Sequence, residues 1–90
     1  MIEQYESSCV RNTHIENVGN HRVYRFDNDL GGSVILFDDN QTCELAVIRF
    51  HSSDDQDWLT FPENGIVSEG FINNLNKREV ADLLEQIRCL

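Results

Sequence analysis

Apolar and polar side chains alternate from Arg22 to Phe26, with Tyr24 and Phe26 on one side and Val23 beside Arg25 on the other. A two-residue period of this kind belongs to a β-strand lying on a sheet face. The next two segments are apolar on both sides. In 33–37, Ile35 and Phe37 alternate with Val34 and Leu36, and in 44–50, Leu45 and Val47 alternate with Ala46, Ile48 and Phe50. Such strands sit in the middle of a sheet and are covered on both faces. Between them, Gly31-Gly32 is expected to supply the positive backbone angles of one hairpin, and Asp38-Asp39-Asn40-Gln41 the turn-forming side chains of a second. After the polar break 52–57, Trp58-Leu59-Thr60-Phe61 reads as a fourth strand, stopped by Pro62 and the turn Glu63-Asn64-Gly65.

The period then changes. Val80, Leu83, Leu84 and Ile87 fall at the i, i+3, i+4, i+7 spacing of one helix face, with Leu90 extending it. Asn76 and Glu79 are spaced as a capping box, so a helix is expected over 76–89. Ser68 is placed to cap a shorter turn running to Asn73 that would bring Phe71 and Ile72 to the same core, against the preference of Gly70. Residues 1–20 fit neither period. There, 18–21 reads as a turn bringing an extra strand, His14 to Val18, beside the first.

The expected fold is therefore α+β: an antiparallel four- or five-stranded meander sheet with the C-terminal helix packed on one face. It forms a single domain over 1–90, with an N-terminal segment 1–20, a sheet over 22–62 and a helical part over 66–90. One helix cannot cover both faces of a sheet whose central strands are apolar on both. The N-terminal segment is the expected cover for the second face, ahead of a second copy of the chain or a partner protein.

Size and composition agree with one core. Ninety residues bury roughly 60 to 65% of the unfolded surface, with no material for a second core. The chain is 40% hydrophobic and 26% charged, with Pro62 its single proline, which argues against a disordered linker. Cys9, Cys43 and Cys89 are an odd number without paired spacing, and the start Met1-Ile2-Glu3-Gln4-Tyr5-Glu6 is acidic where a secretory signal is basic and then apolar. Reduced thiols and a cytosolic setting are expected. The longest apolar runs, 34–37 and 45–48, fall far short of the roughly 20 residues of a membrane helix.

Charge narrows the function classes further. Sixteen acids against seven bases give a formal charge of -9, which disfavours direct binding to DNA, RNA or anionic lipid and suits a basic partner. In a meander the first and third connections lie at the same end of the sheet. Asp27 and Asp29 are thereby expected near Asp54, Asp55 and Asp57, about two strand spacings or roughly 10 Å away. These five carboxylates form a candidate partner-binding acidic edge, while Asp38 and Asp39 lie at the other end. Carboxylates in turns also cap their own backbone, an ordinary structural role.

Catalytic and cofactor signatures are weak. The run Asp54-Asp55-Gln56-Asp57 lacks the glycine and closing glutamate of a calcium loop. His14, His21 and His51 form no zinc spacing with the cysteines. No serine or cysteine sits in a nucleophile motif, and Gly31-Gly32 is not followed by the Gly-Lys-Ser/Thr of a phosphate loop. No cofactor, metal or catalytic residue is expected.

The segments Tyr24-Arg25-Phe26-Asp27-Asn28, Gly31-Gly32-Ser33-Val34-Ile35 and Cys43-Glu44-Leu45-Ala46-Val47-Ile48, with 66–72 and 76–90, resemble small uncharacterised proteins encoded in tailed-bacteriophage genomes. The likeness covers residues 22–90. The chain departs from that pattern at Cys43, where an aromatic commonly stands, and its Gly31-Gly32 pair and 54–57 insertion are its own. The resemblance implies a phage origin and a life in the host bacterial cytoplasm, and it carries over no catalytic residue. Three functions are left open: a non-enzymatic acidic protein that engages or inhibits a host protein with a basic surface, by mimicking nucleic-acid charge; a homodimeric structural or assembly accessory; and a small metal-dependent enzyme.

Overall fold

In the computed structural model, which describes residues 3–90, the alternating segments become the centre of an antiparallel sheet. Its strands are β1 (Cys9–Ile15), β2 (Gly19–Arg25), β3 (Leu30–Phe37), β4 (Cys43–Phe50) and β5 (Trp58–Thr60), hydrogen-bonded in chain order. A sixth strand, β6 (Phe71–Leu75), pairs with β4 along the same edge as β5. β5 takes the C-terminal half of β4, opposite Ile48 to Phe50, and β6 takes the N-terminal half, opposite Cys43 to Ala46. The chain is thus an α+β meander of five sequential strands with one more added at the end, closed by helix α1 (Lys77–Arg88).

The helix forms where the capping chemistry places it. Asn76 accepts from the Glu79 amide at 2.8 Å, and Glu79 accepts from the Asn76 amide at 3.0 Å. Val80, Leu84 and Ile87 are buried against Tyr24, Val34, Leu45 and Val47 of the sheet. Gly32 sets how closely the two layers meet, since a Cβ there would lie 2.7 Å from the Leu84 Cδ2. This corrects the expected role of Gly31-Gly32. Both glycines lie inside β3, and the left-handed residue of the first hairpin is Asp29, at φ 64°. A Cβ at Gly31 would stand 1.8 Å from the Tyr24 carbonyl oxygen, so packing across the strands excludes a side chain there.

The second hairpin follows its turn chemistry, with Asn40 left-handed and the Asp39 carboxylate accepting from the Gln41 and Thr42 amides. At the N-terminus the extra strand is present but displaced: it runs Cys9–Ile15 and turns through Asn17, and Gly19 to His21 already belong to β2. The stretch after Ser68 differs more. A 3-10 turn, Ser68–Gly70, gives way to β6, leaving Phe71 47% and Ile72 39% exposed at the sheet edge instead of in the core.

The N-terminal segment does not cover the second face. Its 3-10 turn, Glu3–Ser8, lies on the helix side, where Tyr5 packs edge-on to Phe26 at 5.6 Å and donates to Glu85 of α1. The opposite face holds a smaller cluster of Val23, Ile48 and Phe50, flanked by Val10, Ala46 and Trp58. The loop 51–57 is tied to that face by Arg25, which donates to Asp55 and to the Ser52 carbonyl, and by Arg11, which donates to Gln56.

Candidate functional site

Arg25 organises the end of the sheet where the acidic loops meet. It closes β2 on the second face, directly opposite Gly31, and its guanidinium lies over the Phe50 ring at 4.4 Å. From there it donates to Asp29 Oδ1 at 3.1 Å, Asp55 Oδ1 at 3.0 Å and the Ser52 carbonyl at 2.7 Å. The hydrogen bond to Asp29 is the chief cause of its raised pKa. The first and third connections are also tied by backbone, the Phe50 amide donating to the Asp29 carbonyl at 2.8 Å.

The meander therefore brings the two acidic loops together, with Asp29 and Asp55 closer than strand spacing alone suggests because they share one guanidinium. Asp54 uses a carboxylate oxygen to accept from the Gln56 amide at 2.8 Å, which shapes the loop. Asp27 and Asp57 are exposed and their carboxylates carry no hydrogen bond or ion pair among the described residues. Asp27 borders a polar cleft with Ser8, Asn28 and Arg88. Asn28 fixes that rim to the helix, donating to the Ile87 carbonyl at 2.9 Å and accepting from the Leu30 amide. The edge is acidic, yet Arg25 offsets part of the charge carried by the five carboxylates. No three His, Cys, Asp or Glu side chains gather in metal-binding geometry among the described residues.

A second surface lies lower on the same face, beside the 51–57 loop, whose Gln56 accepts from Arg11 at 2.6 Å. The directly opposed residues Val23, Ser33, Ala46 and Phe71 form one row, and Thr13, His21, Ile35 and Glu44 the next. Ser33, Ile35, Glu44, Ala46, Thr60 and Phe71 line a shallow apolar-floored depression there. His21 Nε2 meets Ser33 Oγ at 2.7 Å. Burial, and then the charge of Arg11, push the His21 pKa down. Glu44, half-buried in a central strand, has no hydrogen-bond or ion-pair partner among the described residues.

Sequence reasoning identified the acidic loops and missed Arg25 as their clamp. The signal was present in an arginine that ends a strand on the face where Gly31 leaves room. It also passed over Glu44, a carboxylate amid apolar residues of a strand read as central. Cys9, Cys43 and Cys89 are free thiols, and burial pushes the Cys43 thiol up. No helix among the described residues is long and apolar enough to cross a membrane. No family model, curated protein or solved structure matches the chain.

Proposed function

We propose that the protein is a non-enzymatic binding protein whose acidic edge engages the basic surface of another protein. The observation that carries this reading is the Arg25 clamp: it holds the Asp29 and Asp55 loops as one unit and leaves the Asp27 and Asp57 carboxylates facing solvent without partners among the described residues. A formal charge of -9 supports attraction toward such a partner over several ångströms of solvent. In the phage setting that the resemblance implies, the partner is a host nucleic-acid-handling or defence protein met in the bacterial cytoplasm. The acidic edge takes the place of phosphates in that protein's basic site.

The test compares affinity capture from bacterial lysate by the parent chain and by the triple variant Asp27→Asn, Asp54→Asn, Asp57→Asn. Asparagine keeps the oxygen with which Asp54 accepts from Gln56, so the loop retains its shape. The proposal expects a protein held by the parent, released by raised salt and by competing polyanion, and absent from the triple variant. Equal capture by both chains, or binding indifferent to salt, overturns it.

A further inference from the structure

We infer that the open part of the second sheet face is a self-association surface, on which a second copy of this chain packs face to face about a two-fold axis running along β3. The inference is independent of the acidic edge and rests on the self-complementary order of residues across the face. One row reads His21, Ile35, Glu44 across β2, β3 and β4. A two-fold axis parallel to β3 in the interface plane places β2 of one copy over β4 of the other. His21 then faces the partner copy's carboxylate at position 44, in both directions, and Ile35 meets its own counterpart on the axis.

The adjacent row fits the same axis. In it Ser33 meets its counterpart on the axis, while Val23 is already fully buried within its own chain and Arg11 donates to Gln56 of the 51–57 loop at 2.6 Å, so Ser33, Ala46 and the exposed ring of Phe71 are the side chains this row offers to a second copy. Small side chains at Ser33 and Ala46 leave room for sheets to approach the usual separation of about 10 Å. Each polar group of the central row is left incomplete in the single chain. Glu44 has no partner among the described residues, and His21 uses only Nε2, toward Ser33. With the Ser33 hydroxyl donating to Nε2, the Nδ1 proton is available to a facing carboxylate. Self-pairing completes both groups and covers Ile35 and Phe71 at once.

A basic peptide would satisfy Glu44 but would leave His21, at the other end of the central row, facing a like or unpaired group. The second copy satisfies both ends, which is why it is the occupant assigned. The open region is narrower than a standard protein interface, so the association belongs to the weak, micromolar class.

Sedimentation equilibrium of the parent chain tests this directly. Concentration-dependent doubling of mass is expected, and a strict monomer up to about 1 mM overturns the assignment. Two charge variants make the test specific. His21→Glu sets two carboxylates against each other, and Glu44→Lys buries an ammonium opposite an imidazole; each is expected to weaken self-association at least tenfold. An equimolar mixture of the two variants is expected to regain a one-to-one heterodimer, because both facing pairs then become complementary. Folding of each is checked by circular dichroism, and amide shifts of the parent chain on dilution supply a readout that needs no variant. Shifts that move at 21, 35 and 44 support the face-to-face dimer. Failure of the mixture to pair, or shifts confined to β1 as in edge-to-edge association, refutes it.

Discussion

Replacing Asn64 is expected to destabilise the protein more than any other single change in a loop. The residue is 95% removed from solvent by the fold, being only 5% exposed, and it holds the connection from β5 to β6 from within. Its Oδ1 accepts from the Ile66 amide at 2.6 Å and the Val67 amide at 2.7 Å, and its Nδ2 donates to the Phe61 carbonyl at 2.8 Å and the Val67 carbonyl at 3.2 Å. Asn64→Ala removes these four bonds, with a longer fifth to the Pro62 carbonyl at 3.4 Å, and strands two amides, each in a part-buried or buried setting. A net worth of about 1 kcal/mol per bond, with reduced weight for the carbonyls that water can reach, gives a loss of about 2 to 4 kcal/mol. For a domain of this size that lowers the melting temperature by roughly 10 to 25 °C.

Asn64→Asp keeps the acceptor and turns the donor into an oxygen facing two carbonyls, so it is expected to fall between parent and alanine variant near neutral pH and to recover partly in acid, when the carboxyl can donate. Thermal and urea melts followed by circular dichroism measure all three chains. A melting temperature for Asn64→Ala within about 3 °C of the parent would refute the reasoning, because it would mean the loop finds its hydrogen bonds elsewhere at little cost.

Gly32→Ala places a methyl group 2.7 Å from Leu84 Cδ2 and is expected to cost about 1 to 3 kcal/mol; Leu84→Ala on the same chain gives the methyl room, so urea melts of the double variant should fall short of the summed losses. Tyr24→Phe removes a buried hydroxyl that has no hydrogen-bond partner within bonding geometry among the described residues, and melting should show stability unchanged or raised by about 1 kcal/mol. Burial pushes the Tyr24 phenol up to about 12 from 10.0. The folded state therefore holds that proton more tightly than the unfolded chain, and stability present below pH 10 is lost as pH rises toward 12. A difference titration of tyrosinate absorbance, parent against Tyr24→Phe, reads that ionisation directly. Hydrogen bonds from Arg88, then Tyr5, hold the Glu85 carboxyl at about 2 against 4.5. Its contribution is complete above pH 4.5 and disappears as pH falls toward 2, and acid melts of Glu85→Gln should show a shallower slope in that window.

Several elements were legible in the chain because their causes are local. Alternation at 22–26 and the two-sided apolar runs at 33–37 and 44–50 needed no distant information to mark strands, and the helix carried its period and its capping box in adjacent residues. The hairpin connections then fixed the meander order, and with it the meeting of the two acidic loops at one end of the sheet. β6 escaped notice because Phe71-Ile72-Asn73-Asn74-Leu75 has no clean alternation and follows a turn at Gly70; its strand state comes from hydrogen bonds to β4, 25 to 32 residues earlier, through an irregular register.

Long-range packing settled the remainder. Gly31 and Gly32 look like turn residues in isolation, but the close approach of Tyr24 and Leu84, not a positive angle, demands their missing side chains. Tyr5 chose the helix side of the sheet through contacts with Phe26 and Glu85, which lie far away in sequence, and so left the second face to a loop. Arg25 offsets carboxylates from two connections that only the folded sheet brings together. Periodicity and turn chemistry are encoded within a few residues of chain. Which layer covers which face, and which charges are cancelled, depends on sums of contacts between distant segments that no local pattern contains.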